Sequence, residues 1–297
     1  MDVQGPLARR HTSFLELRRD LPPPRYDDAA FVRTVKRIDN TPWMNEHQGR
    51  MVWDHFSRFR PRNVLDVGTC YGTSATYFAA ALQAMGIEGG RVVTVDSGQL
   101  DHLSDAKQRC QLLWERCGVR DLIEDHRIAD SSYAWWLLEE VERHRGPDGR
   151  VRPAYDFIYI DGAKLFALDA PSAALAAQLL RPHGWLLMDD LDWSYGGHDA
   201  HDQPVLAFGD VVKYRLSERE QRQAQVLAAW RTMVEANPAF DRVTITEGQW
   251  GWARKRRFAP GAPLGRVVGP LRKQVVDAIV GGPLEQPLRA AIRLVKR

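Results

Sequence analysis

The chain has 297 residues, 44% of them hydrophobic, and a formal net charge of +3, enough to bury a substantial core in one large domain or two modest ones. It contains no run of about 18 uncharged apolar residues, and Met1-Asp2-Val3-Gln4-Gly5-Pro6 lacks the basic-then-apolar layout of a secretion signal, so a spanning helix is excluded and the cytoplasm is the expected compartment. Cys70, Cys110 and Cys117 form no C-x-x-C pair and their odd number argues against a disulfide framework.

The first twenty residues are Arg-rich and end at the extended break Leu21-Pro22-Pro23-Pro24. Helical periodicity follows over Asp28 to Ile38 and Glu46 to Phe59, interrupted at Asn40-Thr41-Pro42-Trp43, where the proline restricts its predecessor. Residues 1–60 therefore read as a helical segment covering the domain that follows. Strand-like runs then alternate with helical stretches: Asn63 to Val67, Arg91 to Asp96, Asp125 to Ala129, Asp156 to Asp161 and Gly184 to Asp189. Such alternation predicts a parallel sheet with crossover helices. Between Asp190 and Leu216 lies a long polar and aromatic segment of the kind that shapes a pocket, and Ser217 to Glu235 returns to helix. Asp241 to Thr246 and Gln249 to Arg254, joined at Glu247-Gly248, read as a terminal hairpin. The expected fold is α/β, a Rossmann-like doubly wound sheet of about seven strands with an antiparallel last strand, over residues 61–257.

Charge changes sign near the end. From Arg254 onward there are 11 Lys or Arg against Asp277 and Glu285, so the rest of the chain is net acidic. After the linker Ala259-Pro260-Gly261-Ala262-Pro263, Leu271, Val275, Val276 and Ile279 recur at helical spacing, and Leu284, Leu288, Ile292 and Val295 repeat the stripe beside Arg289, Arg293 and Lys296. Residues 258–297 thus predict two basic amphipathic helices, expected to pack on the main domain or on a second subunit as a homodimer. Peripheral membrane contact is the alternative, and no nucleic-acid partner is expected.

The stretch Val64-Leu65-Asp66-Val67-Gly68-Thr69-Cys70-Tyr71-Gly72-Thr73-Ser74 reads as a buried strand entering a glycine-rich turn that opens a helix. Its glycines stand as G-x-x-x-G, whereas a dinucleotide site needs G-x-G-x-x-G, which makes an oxidoreductase the weakest reading. Gly68 allows a sharp turn and a close ligand approach, and Asp66 offers charge to an ammonium or ordered water. S-adenosylmethionine, cationic and carrying an adenosine, fits. Asp96 ends the second strand, where an acid accepts both ribose hydroxyls. Asp130 and Ser131 follow the third strand, placed either to hold the adenine amino group or to cap a helix. Asp161, Asp189 and Asp190 end the fourth and fifth strands at the same edge, where mutual repulsion invites a cation such as Mg2+, unless Asp161 and Asp189 bind ligand amines or cap loops.

The combined pattern resembles the class I methyltransferases, and among them the metal-dependent O-methyltransferases that include the catechol and caffeoyl-CoA enzymes, over roughly Trp43 to Arg254. Asn45-Glu46-His47-Gln48-Gly49-Arg50 is similar to that group's E-x-Q-G-like stretch, and Gly68, Gly72 and Ser74 match its G-x-x-x-G-x-S turn. The resemblance implies that Asp66, Gly68, Thr69, Gly72, Ser74, Asp96, Asp130, Ser131 and Asp161 line the cofactor site, with Ser74 near the methionine carboxylate. It further implies Mg2+ on Asp161, Asp189 and Asp190, and Lys164, three residues after Asp161, as general base with a lowered pKa, the alternative being a surface lysine that pairs with Asp161. The Asp189-Asp190 pair departs from the group's usual Asp-Asn and is similar to methyltransferases acting on sugars and other secondary-metabolite hydroxyls. His198 or His201 would be an alternative base or fourth metal ligand, and Trp193, Tyr195 and Phe208 would wall the acceptor pocket. The expected activity is methyl transfer from S-adenosylmethionine to a hydroxyl of a small molecule, a phenol or a sugar. Two alternatives stand beside it: a metal-free N- or O-methyltransferase using His198 or Lys164, and an idle cofactor-binding protein that docks through its C-terminal helices.

Overall fold

The structure is a computed structural model, and it describes residues 26–97, 105–128, 130–195 and 216–257. The expected C-terminal helices, His198, His201 and Phe208 lie outside those residues.

Helix α1 (Asp28–Ile38) starts at Asp27, whose carboxylate accepts from Ala29 N. Helix α2 (Glu46–Phe59) starts with a capping box in which the Asn45 side chain accepts from Gln48 N and the Gln48 side chain accepts from Asn45 N. The Asn45-to-Arg50 stretch is therefore first of all a helix start. The order then runs β1 (Asn63–Val67), α3 (Thr73–Ala84), β2 (Arg91–Asp96), α4 (Ala106–Cys117), β3 (Ile123–Arg127), α5 (Tyr133–Arg143), β4 (Tyr155–Ile160), α6 (Phe166–Leu179) and β5 (Leu180–Met188). Two short helices, α7 (Glu218–Gln221) and α8 (Gln225–Ala229), replace the expected continuous helix, and α8 runs on as a π-helical turn, Trp230–Glu235. Strands β6 (Phe240–Thr246) and β7 (Trp250–Lys255) close the described chain.

The seven strands form one sheet in the order β3-β2-β1-β4-β5-β7-β6. Strands β1 to β5 are parallel to one another, and β7 lies antiparallel between β5 and β6. The expected architecture is thus the observed one, with the antiparallel strand inserted beside β5. Alternation along each strand assigns its residues to two cores. Val64, Val92, Phe157, Tyr159, Trp185 and Leu187 face α1 to α4, which bring Phe31, Trp53, Phe56, Tyr77, Phe78 and Trp114. Leu65, Val67, Val93, Val95, Ile158, Ile160, Leu186 and Met188 face α5, α6 and the π-turn, which bring Trp136, Leu137 and Trp230. The N-terminal helices are a cover in the literal sense: Trp53 is fully buried and its indole donates to Tyr77 O of α3 at 3.0 Å.

Strand order reverses between β1 and β4, since β2 and β3 lie on one side of β1 and β5 on the other side of β4. In open α/β sheets the ligand crevice lies beyond the carboxyl ends at this point. Gly68 follows β1 there and Asp161 follows β4.

Candidate active site

At the end of β1, Gly68 turns the chain at φ +104° and Gly72 leads into α3 at φ +80°, a backbone region that favours glycine. The space demands glycine as well. A Cβ on Gly68 would stand 2.0 Å from Asp161 O, and one on Gly72 would stand 2.8 Å from the Trp114 indole nitrogen. The turn is tied across strands by Gly68 N to Val95 O and Asp161 N to Val67 O. Asp96 is tied to it as well, accepting from Cys70 N at 2.7 Å. The strand-end acid of β2 and the glycine turn of β1 are therefore one unit.

Asp66 and Ser74, expected to meet the ligand, meet each other. Ser74 Oγ donates to Asp66 at 3.0 Å, Thr94 Oγ1 donates to the same carboxyl at 3.0 Å, and Thr69 and Thr94 share a 2.6 Å hydrogen bond. Asp66 is wholly buried, and desolvation pushes its pKa up to about 8 despite these hydroxyl donors. Burial thus favours its protonated form over the charge expected from sequence. On the other flank, Asp130 is exposed and Ser131 half-buried; the cap of α5 is Ser132, whose side chain accepts from Trp135 N. Neither the Asp130 nor the Ser131 side chain is spent on the helix cap.

The three remaining acids gather beyond β4 and β5. Lys164 ion-pairs with Asp161 and reaches Asp190 Oδ2 at 2.9 Å. The Tyr159 hydroxyl lies 2.5 Å from Asp189 Oδ2 and 3.2 Å from Asp161 Oδ2, and Asp190 N donates to Asp189 Oδ1 at 2.7 Å. Desolvation raises the pKa of Asp161, and with the neighbouring carboxylates it pushes Asp189 up to about 7. The expected fall in the Lys164 pKa is corrected by this arrangement. Burial opposes the ammonium, but Asp161, Asp190 and Asp189 outweigh burial and raise the pKa. Lys164 is held as a cation, the form that cannot accept a proton.

The turn that carries Lys164 is itself clamped. Lys164 takes φ +59°; Ala163 N donates to the Tyr133 hydroxyl at 2.8 Å, and the Tyr195 hydroxyl donates to Ala163 O at 2.5 Å. Tyr133 in turn donates to buried Asp169 at 2.9 Å. Trp193 packs edge-on to Tyr195 with ring centroids 4.5 Å apart, so two of the expected pocket aromatics adjoin this turn. Sequence reading missed Tyr159, Tyr133, Thr94 and Asp169. Tyr159 carried a signal, a hydroxyl inside an apolar strand two residues before its terminal acid; Tyr133 and Asp169 carried none, because their partners lie 30 and 36 residues away.

For magnesium the donor chemistry is suitable, since hard cations take carboxylate oxygens. The arrangement is not: Asp161 and Asp190 converge on the Lys164 ammonium, and Asp189 faces Tyr159. Among the described residues no three His, Cys, Asp or Glu side chains are grouped to hold a metal ion. The ion expected from sequence does not fit the site as folded.

Residues 65–191 match the model of a methyltransferase domain family. Among solved structures, a methyltransferase of Podospora anserina with bound S-adenosylhomocysteine aligns at a TM-score of 0.52 and 15% identity, over 79% of this chain and 91% of that one. An O-methyltransferase of Bacillus cereus in complex with S-adenosylhomocysteine aligns at 0.49 and 19%, over 77% and 92%. An O-methyltransferase of Streptomyces achromogenes involved in tomaymycin synthesis, in complex with S-adenosylmethionine, aligns at 0.48 and 16%, over 79% and 92%. No curated protein sequence matches the chain. The sheet order, the glycine turn joined to Asp96 and the family match over β1 to β5 agree with one another. Residues 65–191 match a methyltransferase domain, and the fold is shared with the Podospora anserina methyltransferase.

Proposed function

We propose that the chain methylates a hydroxyl of a small molecule, a phenol or a sugar of secondary-metabolite type. The observation that carries this reading is the meeting, at one switch point, of the Gly68–Asp96 cofactor unit with an acid-rich edge bearing Asp161, Asp189 and Asp190. Asp96 takes the ribose hydroxyls, Asp130 and Ser131 take the adenine edge, and Asp161 with the Gly68 turn faces the methionine half. The solved Podospora anserina methyltransferase of similar fold holds S-adenosylhomocysteine, the demethylated product, which supports the same cofactor here.

The acceptor O–H donates to Asp190, whose carboxylate is a third exposed and carries no partner on Oδ1 among the described residues. As the methyl–sulfur bond breaks and the methyl–oxygen bond forms, the hydroxyl proton passes to that carboxylate. The sulfonium charge is discharged and S-adenosylhomocysteine leaves neutral at sulfur. Lys164 keeps the cluster from accumulating negative charge, and Trp193 with Tyr195 supplies an apolar wall for the acceptor. The magnesium assistance implied by resemblance has no part in this reading, because Lys164 and Tyr159 hold the carboxylates it would need.

Calorimetric titration with S-adenosylmethionine, followed by transfer of labelled methyl to a panel of phenols, sugars and amines, tests the proposal. Cofactor binding with label on hydroxyl acceptors alone is expected. Label on amines would replace the O-transfer reading with N-transfer, and binding without turnover on the whole panel would favour the idle cofactor-binding protein.

A further inference from the structure

We propose that the Lys164 ammonium is the resident cation of the carboxylate edge, standing where a divalent metal would stand, so that methyl transfer by this chain is metal-independent. The inference rests on the methyltransferase reading of the site, and it concerns what neutralises Asp161, Asp189 and Asp190.

Carboxylates gathered in a cleft need a compensating charge. Here one is already built in. The ammonium contacts Asp161 and Asp190 together, and the Lys164 side chain is only 17% exposed. Three of the four remaining oxygens are also engaged, Asp161 Oδ2 and Asp189 Oδ2 by the Tyr159 hydroxyl and Asp189 Oδ1 by Asp190 N, which leaves Asp190 Oδ1 for the acceptor. Tyr159 comes from the middle of the sheet and is fully buried, so this donor cannot swing aside.

The backbone at Lys164 is in the left-handed region, φ +59°, and its ammonium reaches back to Asp161, three residues earlier. Tyr133 and Tyr195 grip the peptide groups of Ala163, and Gly162 packs so closely on Tyr133 that a Cβ would lie 2.4 Å from the ring. A divalent ion entering between Asp161 and Asp190 would meet a positive charge at contact distance and would have to expel it from a clamped turn. A singly charged, covalently attached cation balances the edge without those costs.

The test is Mn2+ titration followed by electron paramagnetic resonance on the full chain, with turnover measured in EDTA. The wild type is expected to leave Mn2+ free, and turnover to be unchanged by the chelator. Lys164→Met and Lys164→Gln, checked for native circular dichroism, are expected to bind Mn2+ about tenfold or more tighter, because each leaves the carboxylates uncompensated. Wild-type binding of Mn2+ that Asp189→Asn removes would overturn the proposal, as would loss of turnover in EDTA. Folded Lys164 variants that gain no affinity would also overturn it. Should neither variant fold, the wild-type titration decides alone. Absence of S-adenosylmethionine binding would instead sink the methyltransferase reading, and the Mn2+ result would still settle which cation the edge holds.

Discussion

Gly68 and Asp161 are in backbone contact across the switch point, so close that a methyl group on Gly68 would stand 2.0 Å from the Asp161 carbonyl oxygen. This contact joins the glycine turn after β1 to the acid-rich turn after β4. A Gly68→Ala substitution meets both the clash and the φ of +104°. It should cost roughly 3 kcal/mol or more of stability, or displace the 161–164 turn. Urea denaturation and cofactor calorimetry together check it: a variant with wild-type midpoint and wild-type affinity would show that the contact constrains nothing.

Asp96 serves the turn and, in the proposed function, the ribose. Replacing it by Ala removes the acceptor of Cys70 N, leaving that amide unpaired in a half-buried place. Losing a charge-assisted pair of this kind should weaken S-adenosylmethionine binding about 10- to 100-fold. Asp96→Glu should recover part of the loss. Calorimetry that finds all three proteins equal would remove Asp96 from the cofactor site.

Most of the fold was legible in the sequence because the central strands are buried on both faces and read as apolar runs ending in acids. The misses fall where that reasoning loses purchase. Strand β3 begins at Ile123, two residues before the expected start, because as the sheet's edge it carries Glu124 on an exposed position and Asp125, His126 and Arg127 on half-exposed ones. Strand β5 begins at Leu180 rather than Gly184: Arg181-Pro182-His183-Gly184 reads as a turn, and in the sheet it is a bulge with His183 at φ +66°. The site was legible as an inventory of acids at strand ends, Asp96, Asp161, Asp189 and Asp190, whereas Asp130 stands three residues beyond β3. Its electrostatics were not. Burial turns Asp66 into a hydrogen-bonded neutral acid, and three neighbouring carboxylates keep Lys164 charged; both effects depend on three-dimensional neighbours that spacing does not encode.

The Asp66 carboxyl also sets a pH dependence. Its native pKa of about 8 lies above the ordinary carboxylate value, so between those values the folded state holds a proton that the unfolded chain releases. Stability from this group is full below about pH 4 and declines as pH rises to about 8. Asp66→Asn, which keeps an acceptor for Ser74 and Thr94 without an ionisable proton, should therefore gain stability over the wild type on going from pH 5 to pH 8, by roughly 1 kcal/mol or more. Parallel urea curves for the two proteins at both pH values read the difference for this residue alone. A difference that stays constant with pH would mean that Asp66 is ionised in the fold.

Tyr133 links the acid-rich edge to the helical layer through a hydroxyl that accepts from Ala163 N and donates to Asp169. Asp169 is buried, its other oxygen has no hydrogen-bond partner, and desolvation pushes its pKa up to about 6. In Tyr133→Phe the ring still fills its space against Gly162, while the buried carboxyl and the Ala163 amide both lose their partner. The expected cost is about 1–3 kcal/mol of stability. Because Ala163 precedes Lys164, the loss should also let the 161–164 turn relax from its left-handed conformation and lower kcat, with cofactor affinity nearly unchanged, since Asp96 and the Gly68 turn are held by other bonds. Single-turnover methyl transfer beside calorimetry separates the two effects. A variant that loses stability but keeps its full chemical rate would show that the clamp supports the fold and not the alignment of Lys164.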